Sequence, residues 1–154
     1  MVDVLKKHNI KRFVILNGHG GNHFKTMIRE LSVFYPEVFC CSVDWFKIGD
    51  QSQFFEAAGD HANEMETSVM LHIRPDLILP LSEAGDGAAK QYSIKAFREG
   101  WATAQRQWTK VSKDTGVGNP KKANAEKGKR YLDHVIDEIS DFFVELSKKE
   151  VLFQ

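Results

Sequence analysis

The sequence predicts an α/β protein with a parallel sheet, and three observations support this prediction. An apolar, β-branched run occupies residues 12–16, and a glycine-rich turn follows it directly. Residues 23–34 then place apolar side chains at helical spacing, and a second apolar run fills residues 38–43. A strand, a helix and a second strand in this order indicate a βαβ unit with parallel strands.

The same rules assign the elements around this unit. Residues 5–10 read as the end of an amphipathic helix, and residues 63–73 as a helix that Pro75 ends. We expect a short strand or extended segment at residues 77–81, and a helix, whole or broken at a glycine, at residues 94–108. These segments add helices around the predicted sheet.

The C-terminal half ends in the longest helical pattern of the chain. Residues 112–120 are rich in turn residues, and residues 123–148 carry a single apolar stripe at helical spacing. The aromatic side chains of residues 44–59 are expected to close the edge of a core rather than to line a pocket. Residues 150–154 read as the remnant of a viral 3C-type protease site from an expression tag, so residues 1–149 are predicted to form one domain.

Composition excludes several classes of function. The chain has 154 residues and a formal net charge of zero, which favours neither nucleic acid nor an anionic membrane as a partner. No apolar run is long enough to cross a bilayer, and the N-terminus lacks the layout of a signal peptide. The two cysteines, Cys40 and Cys41, are adjacent, so we expect small core residues of a reduced, cytoplasmic protein.

The most informative segment is the sequence NGHGGN at residues 17–22. A strand that opens into a glycine-rich turn is where α/β proteins place their chemistry. His19 lies between glycines, which favours a metal ligand or an acid/base group over a turn histidine bonded to the backbone. Asn17 and Asn22 either cap the following helix or tolerate a left-handed backbone in the turn. We favour capping over a catalytic role for both.

Alternative interpretations of the glycine turn lack their required partners. A phosphate-binding loop needs Gly-Lys-Ser/Thr after its glycines, and an esterase needs a Gly-x-Ser-x-Gly turn, and neither is present. A dinucleotide site needs a different glycine spacing. Metal-assisted hydrolysis is the interpretation that remains.

A second polar cluster has the sequence HANEMETS at residues 61–68. His61 and Glu64 are three residues apart, a spacing that places both on one face of a helix. Such a pair can ligate one metal, or divide into a ligand and an acid/base group. Thr67 and Ser68 either orient a ligand carboxylate or bond back to the preceding turn.

A third segment, residues 116–128, contains GVGNP and then Ala123, Glu126, Lys127 and Gly128. It fits a structured rim of an active site, although a surface turn before the last helix is the preferred interpretation.

Together these three segments resemble the creatininase (creatinine amidohydrolase) family, whose second motif is His-Ala-Gly-Glu-x-Glu-Thr-Ser. The resemblance implies a three-layer α/β/α fold with a mostly parallel sheet. It implies two divalent metals, zinc or manganese, bridged by a water, and hydrolysis of non-peptide C–N bonds in cyclic amides or formamides. It also implies a small-molecule amide substrate and a homo-oligomer.

The resemblance assigns roles to three residues. His19 is expected to ligate one metal and Glu64 the other, while His61 handles protons or holds the substrate. These two ligands are expected to converge on one cation pocket.

The sequence departs from the family pattern in two places. Asn63 replaces the usual glycine and adds bulk beside the predicted helix. The family's first metal-binding segment, which lies upstream, is absent, so the chain is expected to be the C-terminal part of a longer protein or a shortened relative. The sheet is therefore expected to be incomplete at its N-terminal side, with exposed edges. The rival hypothesis is a truncated, catalytically inactive domain that acts only in an oligomeric assembly.

Overall fold

The computed structural model describes residues 1–149, so the predicted tag remnant at residues 150–154 lies outside the described residues. The chain divides between Ile48 and Gly49 into two compact units, called here the N-terminal unit and the C-terminal unit. The expectation of one domain over residues 1–149 stays a prediction.

The N-terminal unit contains the predicted βαβ arrangement. Its elements are α1 Val2–Lys7, β1 Arg12–Asn17, α2 Lys25–Phe34 and β2 Phe39–Asp44, followed by a 3-10 turn at Trp45–Lys47. Strands β1 and β2 pair in parallel, with Arg12 opposite Phe39 and Asn17 opposite Asp44. The α/β class and the parallel pairing are therefore confirmed.

Small apolar side chains form the core of this unit. Val2, Val38 and Cys40 are buried, and four partly buried side chains pack against them: Phe13, Ile28, Leu31 and Tyr35. Both cysteines are free thiols, as the sequence predicts. Burial raises the pKa of both thiols, because it disfavours their charged form.

The C-terminal unit consists of helices with one short ladder. Its elements are β3 Gly59–His61, α3 Glu64–Ile73, α4 Lys95–Arg98, α5 Trp108–Val111, β4 Val117–Gly118 and α6 Ala125–Lys148. One 3-10 turn precedes β3, at Gln51–Gln53, and three lie between the other elements, at Pro75–Leu77, Leu81–Glu83 and Pro120–Lys122.

The packing of α3 against α6 forms the core of the C-terminal unit. Met65 and Val69 of α3 and Tyr131 and Val135 of α6 are buried. Phe55 is buried too, and its ring lies 5.3 Å from the Tyr131 ring in an edge-to-face arrangement. This contact confirms that aromatic residues before β3 close the core. The predicted apolar stripe of α6 is only partly buried.

Three segments differ wholly or partly from their predictions. The extended segment expected at residues 77–81 is found at Ile78, but it is short, because 3-10 turns occupy Pro75–Leu77 and Leu81–Glu83 on either side. The helix expected at residues 94–108 is reduced to α4, and α5 begins only at Trp108. Gly100 has a left-handed φ of 76° and Trp101 is 73% exposed, so this stretch has neither the backbone conformation nor the buried face that a long helix needs.

The third difference is the antiparallel pairing of β3 with β4. Gly59 lies opposite Gly118, and His61 lies opposite Val117. The preferred interpretation of residues 116–120 as a surface turn is therefore wrong. Among the described residues, no helix is both long and apolar enough to cross a membrane.

Candidate active site

The glycine turn of the N-terminal unit is organised by Asn17, the last residue of β1. The Asn17 side chain is buried, and its Oδ1 accepts hydrogen bonds from the His19 N–H (3.1 Å) and the Asn22 Nδ2 (3.0 Å). Its Nδ2 donates to Asp44 Oδ1 at 2.7 Å, which links the turn to the end of β2. Asn17 thus fixes the conformation of the turn.

This network replaces the helix-capping role predicted for Asn17 and Asn22. Helix α2 begins at Lys25 and its N-cap residue is Phe24. There is no side-chain capping hydrogen bond at this end of the helix. Both asparagines are instead occupied within the turn, two residues or more before the helix. Both asparagines therefore act through side-chain hydrogen bonds within the turn, and neither has the left-handed backbone that was the alternative to capping.

His19 is exposed on this turn, and one ring nitrogen already has a partner. The Gly21 N–H donates to His19 Nδ1 at 3.0 Å. An accepting Nδ1 means that the neutral ring carries its proton on Nε2. A metal-ligating histidine usually donates a hydrogen bond from its second ring nitrogen. Ligation through either nitrogen of His19 therefore requires the contact with Gly21 to be given up.

His61 lies in the C-terminal unit, at the end of β3. Its ring centroid is 4.6 Å from that of Trp108, and the Arg106 guanidinium lies 4.8 Å from the Trp108 ring centroid. Arg106 in turn pairs with Asp60 at 2.6 Å. The imidazole is therefore held against an aromatic side chain that sequence reasoning did not select.

The prediction that His61 and Glu64 share one helix face is wrong. His61 ends a strand, α3 begins at Glu64, and Ala62 between them has a left-handed φ of 48°. Because the backbone changes direction there, a spacing of three residues does not stack the two side chains.

The start of α3 is capped reciprocally. The Asn63 side chain accepts from the Glu66 N–H at 3.0 Å, and Glu66 Oε2 accepts from the Ala62 N–H at 2.6 Å. Thr67 Oγ1 donates back to the Ala62 carbonyl, while the buried Ser68 Oγ accepts from the Asn124 N–H at 3.2 Å. Thr67 therefore bonds back to the preceding turn, as one alternative predicts, whereas Ser68 bonds to the backbone just before α6, a contact that this alternative does not include.

Glu64 is fully buried, and both of its carboxylate oxygens are bound. Oε2 accepts hydrogen bonds from the Glu56 N–H (3.0 Å) and the Ala57 N–H (2.8 Å). Oε1 accepts from Lys127 Nζ at 2.6 Å. The side chain of Glu64 is 0% exposed, and that of Lys127 is 19% exposed. The negative charge of Glu64 is therefore balanced within the protein.

Lys127 connects this carboxylate to a second one at the surface. Its Nζ also contacts Glu56 Oε1 at 3.0 Å, and Lys122 Nζ pairs with the other oxygen of Glu56. The hydrogen bond to Glu64, followed by that to Glu56, raises the pKa of Lys127. The hydrogen bonds from Lys122 and then Lys127 lower the pKa of Glu56 to about 2. Sequence reasoning noted Lys127 only as part of the third segment.

The described residues do not fit a complete metal centre by themselves. His19 lies in the N-terminal unit, and His61 and Glu64 lie in the C-terminal unit. Within residues 1–149, no three His, Cys, Asp or Glu side chains are grouped so that they can hold a metal ion. The carboxylate of Glu64 already has a cation at hydrogen-bonding distance. The convergence of His19 and Glu64 on one cation stays a prediction.

The fold and the motifs define a mixed α/β protein with polar residues at the ends of its strands. The sequence model of the creatininase family, described as creatinine amidohydrolase, matches residues 1–143. The chain therefore belongs to the creatininase family.

Individual relatives agree with this assignment. A protein from Bacteroides fragilis NCTC 9343, provisionally named a creatinine amidohydrolase, has a crystal structure that matches 99% of this chain and 60% of its own, with 42% identity and a TM-score of 0.90. The mycofactocin precursor peptide peptidase of Mycobacterium ulcerans (strain Agy99) is 31% identical over 131 residues, which are 82% of this chain and 46% of that protein.

More distant structures share the fold. A mutant creatininase complexed with creatine matches 96% of this chain and 61% of its own, at 22% identity and a TM-score of 0.71. A mutant creatininase of the Zn-Zn type matches the same shares at 21% identity and a TM-score of 0.73. The chain thus spans about half to three fifths of the length of these relatives.

Proposed function

We propose that the protein to which this chain belongs is a metal-dependent amidohydrolase of the creatininase type. Its reaction is the hydrolysis of a non-peptide C–N bond, in a cyclic amide or a formamide, by a metal-activated water. The observation that supports this proposal most directly is the glycine turn, in which the buried Asn17 holds the exposed His19 at the end of a parallel strand. The family assignment supports the same chemistry.

In this proposal the chain contributes part of the site. His19 would hold zinc or manganese once its contact with the Gly21 N–H is released, and the remaining ligands would come from outside the described residues. The metal, when bound, would supply an activated water and polarise the scissile carbonyl. His61, held against Trp108, would donate a proton to the departing nitrogen. The ligand role predicted for Glu64 does not fit its contacts.

The finer architecture is also a proposal. Parallel sheets occur almost only with both faces covered, and Leu16 of the parallel sheet is 56% exposed. Because the matched relatives are longer than this chain, we infer that the two parallel strands belong to a larger, mostly parallel sheet in a three-layer α/β/α domain. The unpaired edge of this two-stranded sheet also fits assembly into a homo-oligomer.

A second candidate function is a catalytically inactive, creatininase-like domain that acts through assembly. The scatter of the metal-ligating side chains favours this candidate, since no three of them come together within residues 1–149. A peptide amide is a further substrate class for the active form, because one relative is named as a peptidase of a precursor peptide.

The test combines metal binding with activity on the full-length gene product. We expect His19→Ala to weaken zinc binding by at least about 10- to 100-fold, the cost of losing even an outer-shell partner, and to abolish hydrolysis of cyclic amides and formamides. His23→Ala is the matched control, because His23 is an exposed histidine just after the same turn. Metal content and activity that survive His19→Ala would contradict the proposal, and a metal-free oligomer without activity would favour the second candidate.

A further inference from the structure

We propose that Glu64 is an internal structural anion whose counter-cation is Lys127, and that it is not a metal ligand. This inference departs from the role that the family resemblance implies for Glu64. It stands on contacts within the C-terminal unit and does not depend on the proposed activity.

The first argument is the coordination of the carboxylate. An ionised carboxylate accepts about four hydrogen bonds, and Glu64 already accepts three. Two of the donors are backbone N–H groups, of Glu56 and Ala57, which cannot turn away without moving the chain. The side chain is 0% exposed, so the remaining lone pair does not face solvent. A metal has no open approach to either oxygen.

The second argument is the coordination of the ammonium. Lys127 Nζ lies 2.6 Å from Glu64 Oε1, 3.0 Å from Glu56 Oε1 and 3.1 Å from the Lys122 carbonyl oxygen. An ammonium group has three N–H donors, and each of these acceptors takes one. Lys127 is therefore held from three sides at the place that a cation ligated by Glu64 would occupy.

The third argument is electrostatic. A zinc–carboxylate bond is about 2.0–2.2 Å long, so a metal on Oε1 would lie next to the Lys127 ammonium and repel it. Expulsion of Lys127 would break its contacts with both carboxylates. Lys127 and Lys122 already balance the charges of Glu64 and Glu56, so a further cation has no uncompensated anion at this position.

The position of Glu64 also explains what the pair does. Glu64 is the first residue of α3, where the helix dipole favours a negative charge. Through its oxygens it joins the backbone at Glu56 and Ala57 to α3, and through Lys127 it joins α3 to α6. The pair thus ties the segment before β3 to the two main helices of the unit.

A double-mutant cycle tests the pairing in buffer that contains a metal chelator. Lys127→Met leaves the buried carboxylate of Glu64 without its counter-cation, so it should raise the unfolding equilibrium constant by about 100-fold or more. Glu64→Gln should have a smaller effect, because Lys127 keeps Glu56 as a partner and is 19% exposed. The double variant should lie within about tenfold of the unmutated chain, because the buried charges are removed together. Lys122→Met is the control: it makes the same change at an exposed lysine of the network and should have little effect.

A double variant that is no more stable than Lys127→Met alone would overturn the pairing. If a single variant does not fold, a double variant that folds shows the same compensation, and one that also fails to fold contradicts it.

Zinc titration of the full-length gene product and of its Glu64→Gln variant tests the second half of the proposal. Loss of even an outer-shell partner costs about 10- to 100-fold in metal affinity, so loss of a ligand should cost at least as much, whereas Glu64→Gln should bind zinc as tightly as the unmutated protein. A tenfold weaker affinity in Glu64→Gln would overturn the inference. The His19→Ala result bears on the proposed activity alone, so the two proposals fail separately.

Discussion

At position 63 the chain carries asparagine where the related motif has glycine, and the structure gives this side chain a definite task. Asn63 is buried and its Oδ1 caps the first turn of α3. The added bulk that the sequence predicts beside this helix is therefore a cap, which supplies an acceptor for an otherwise unpaired backbone N–H group.

Two substitutions at this position separate the cap from the volume of the side chain. We expect Asn63→Ala to lower the free energy of unfolding by about 1 kcal/mol, while Asn63→Gly costs only a few tenths of a kcal/mol. Urea unfolding of the two variants measures the difference. Equal losses in both would show that packing, and not capping, explains the residue.

The carboxylate of Glu56 also predicts that the stability of the fold depends on pH. Glu56 has a folded pKa of about 2, below its ordinary value of 4.5, because Lys122 and Lys127 bond to it. Between these two pH values the unfolded chain binds more protons than the folded chain, so stability rises with pH. The contribution of Glu56 is complete above pH 4.5 and is lost as the pH falls toward 2.

We therefore expect Glu56→Gln to flatten the decline in stability over this acidic window, as followed by urea unfolding at a series of pH values. The side chain of Glu56 is 57% exposed, so the difference between the two proteins should shrink with added salt. An identical acid profile for both proteins would contradict the pairing.

At the scale of elements, the backbones of α3 and α6 approach each other closely at Gly128. A Cβ atom built on Gly128 of α6 would lie 1.9 Å from the Ser68 carbonyl oxygen of α3. Because the obstacle is backbone, one of the helices must move to make room. The glycine is therefore required by packing and not by backbone conformation.

Gly128→Ala separates helix propensity from helix packing. Propensity alone would stabilise the helix by about 1 kcal/mol, since alanine is the better helix former. We expect a net loss of about 1–3 kcal/mol instead, because the new methyl group overpacks the helix contact. Denaturant unfolding measures it, with Glu126→Ala on an exposed position of the same helix as the control. A stabilised Gly128→Ala variant would show that α3 and α6 do not approach this closely.

Sequence patterns predict the long elements of this chain and not its short ones. The periodic segments at α2, α3 and α6 are found within about two residues of their predicted bounds. Strands β3 and β4 have three and two residues, too few for a periodic pattern. They pair because Gly59 and Gly118 let the two backbones approach, and that contact joins residues far apart in the sequence.

At the scale of the whole molecule, the parallel sheet consists of two strands, so each of them has an unpaired edge among the described residues. Leu16 of β1 is 56% exposed, and an unpaired strand edge favours pairing between chains.

We expect the chain to associate through this strand, and Leu16→Lys to shift it toward the monomer, because a lysine on an edge strand opposes pairing. Sedimentation velocity or light scattering gives the mass of each protein. Val33→Lys is the matched control, since Val33 is 75% exposed but lies on α2. Equal shifts in both variants, or a monomeric unmutated chain, would contradict this mode of assembly.

The sequence by itself determined the α/β class, the parallel βαβ unit and the motifs that identify the creatininase family. These features are local: a periodic pattern or a short motif is complete within a few neighbouring residues. The position of His19 on a glycine turn after an apolar strand belongs to the same group.

Only the tertiary structure decided which partners the polar residues have. Glu64 pairs with Lys127, His61 packs against Trp108, and Ser68 bonds to the backbone of Asn124. The members of these pairs are separated by 63, 47 and 56 residues along the chain, so no local pattern contains them. A carboxylate in a motif is compatible with a metal or with an ammonium, and the choice depends on which cation the folded chain brings to it.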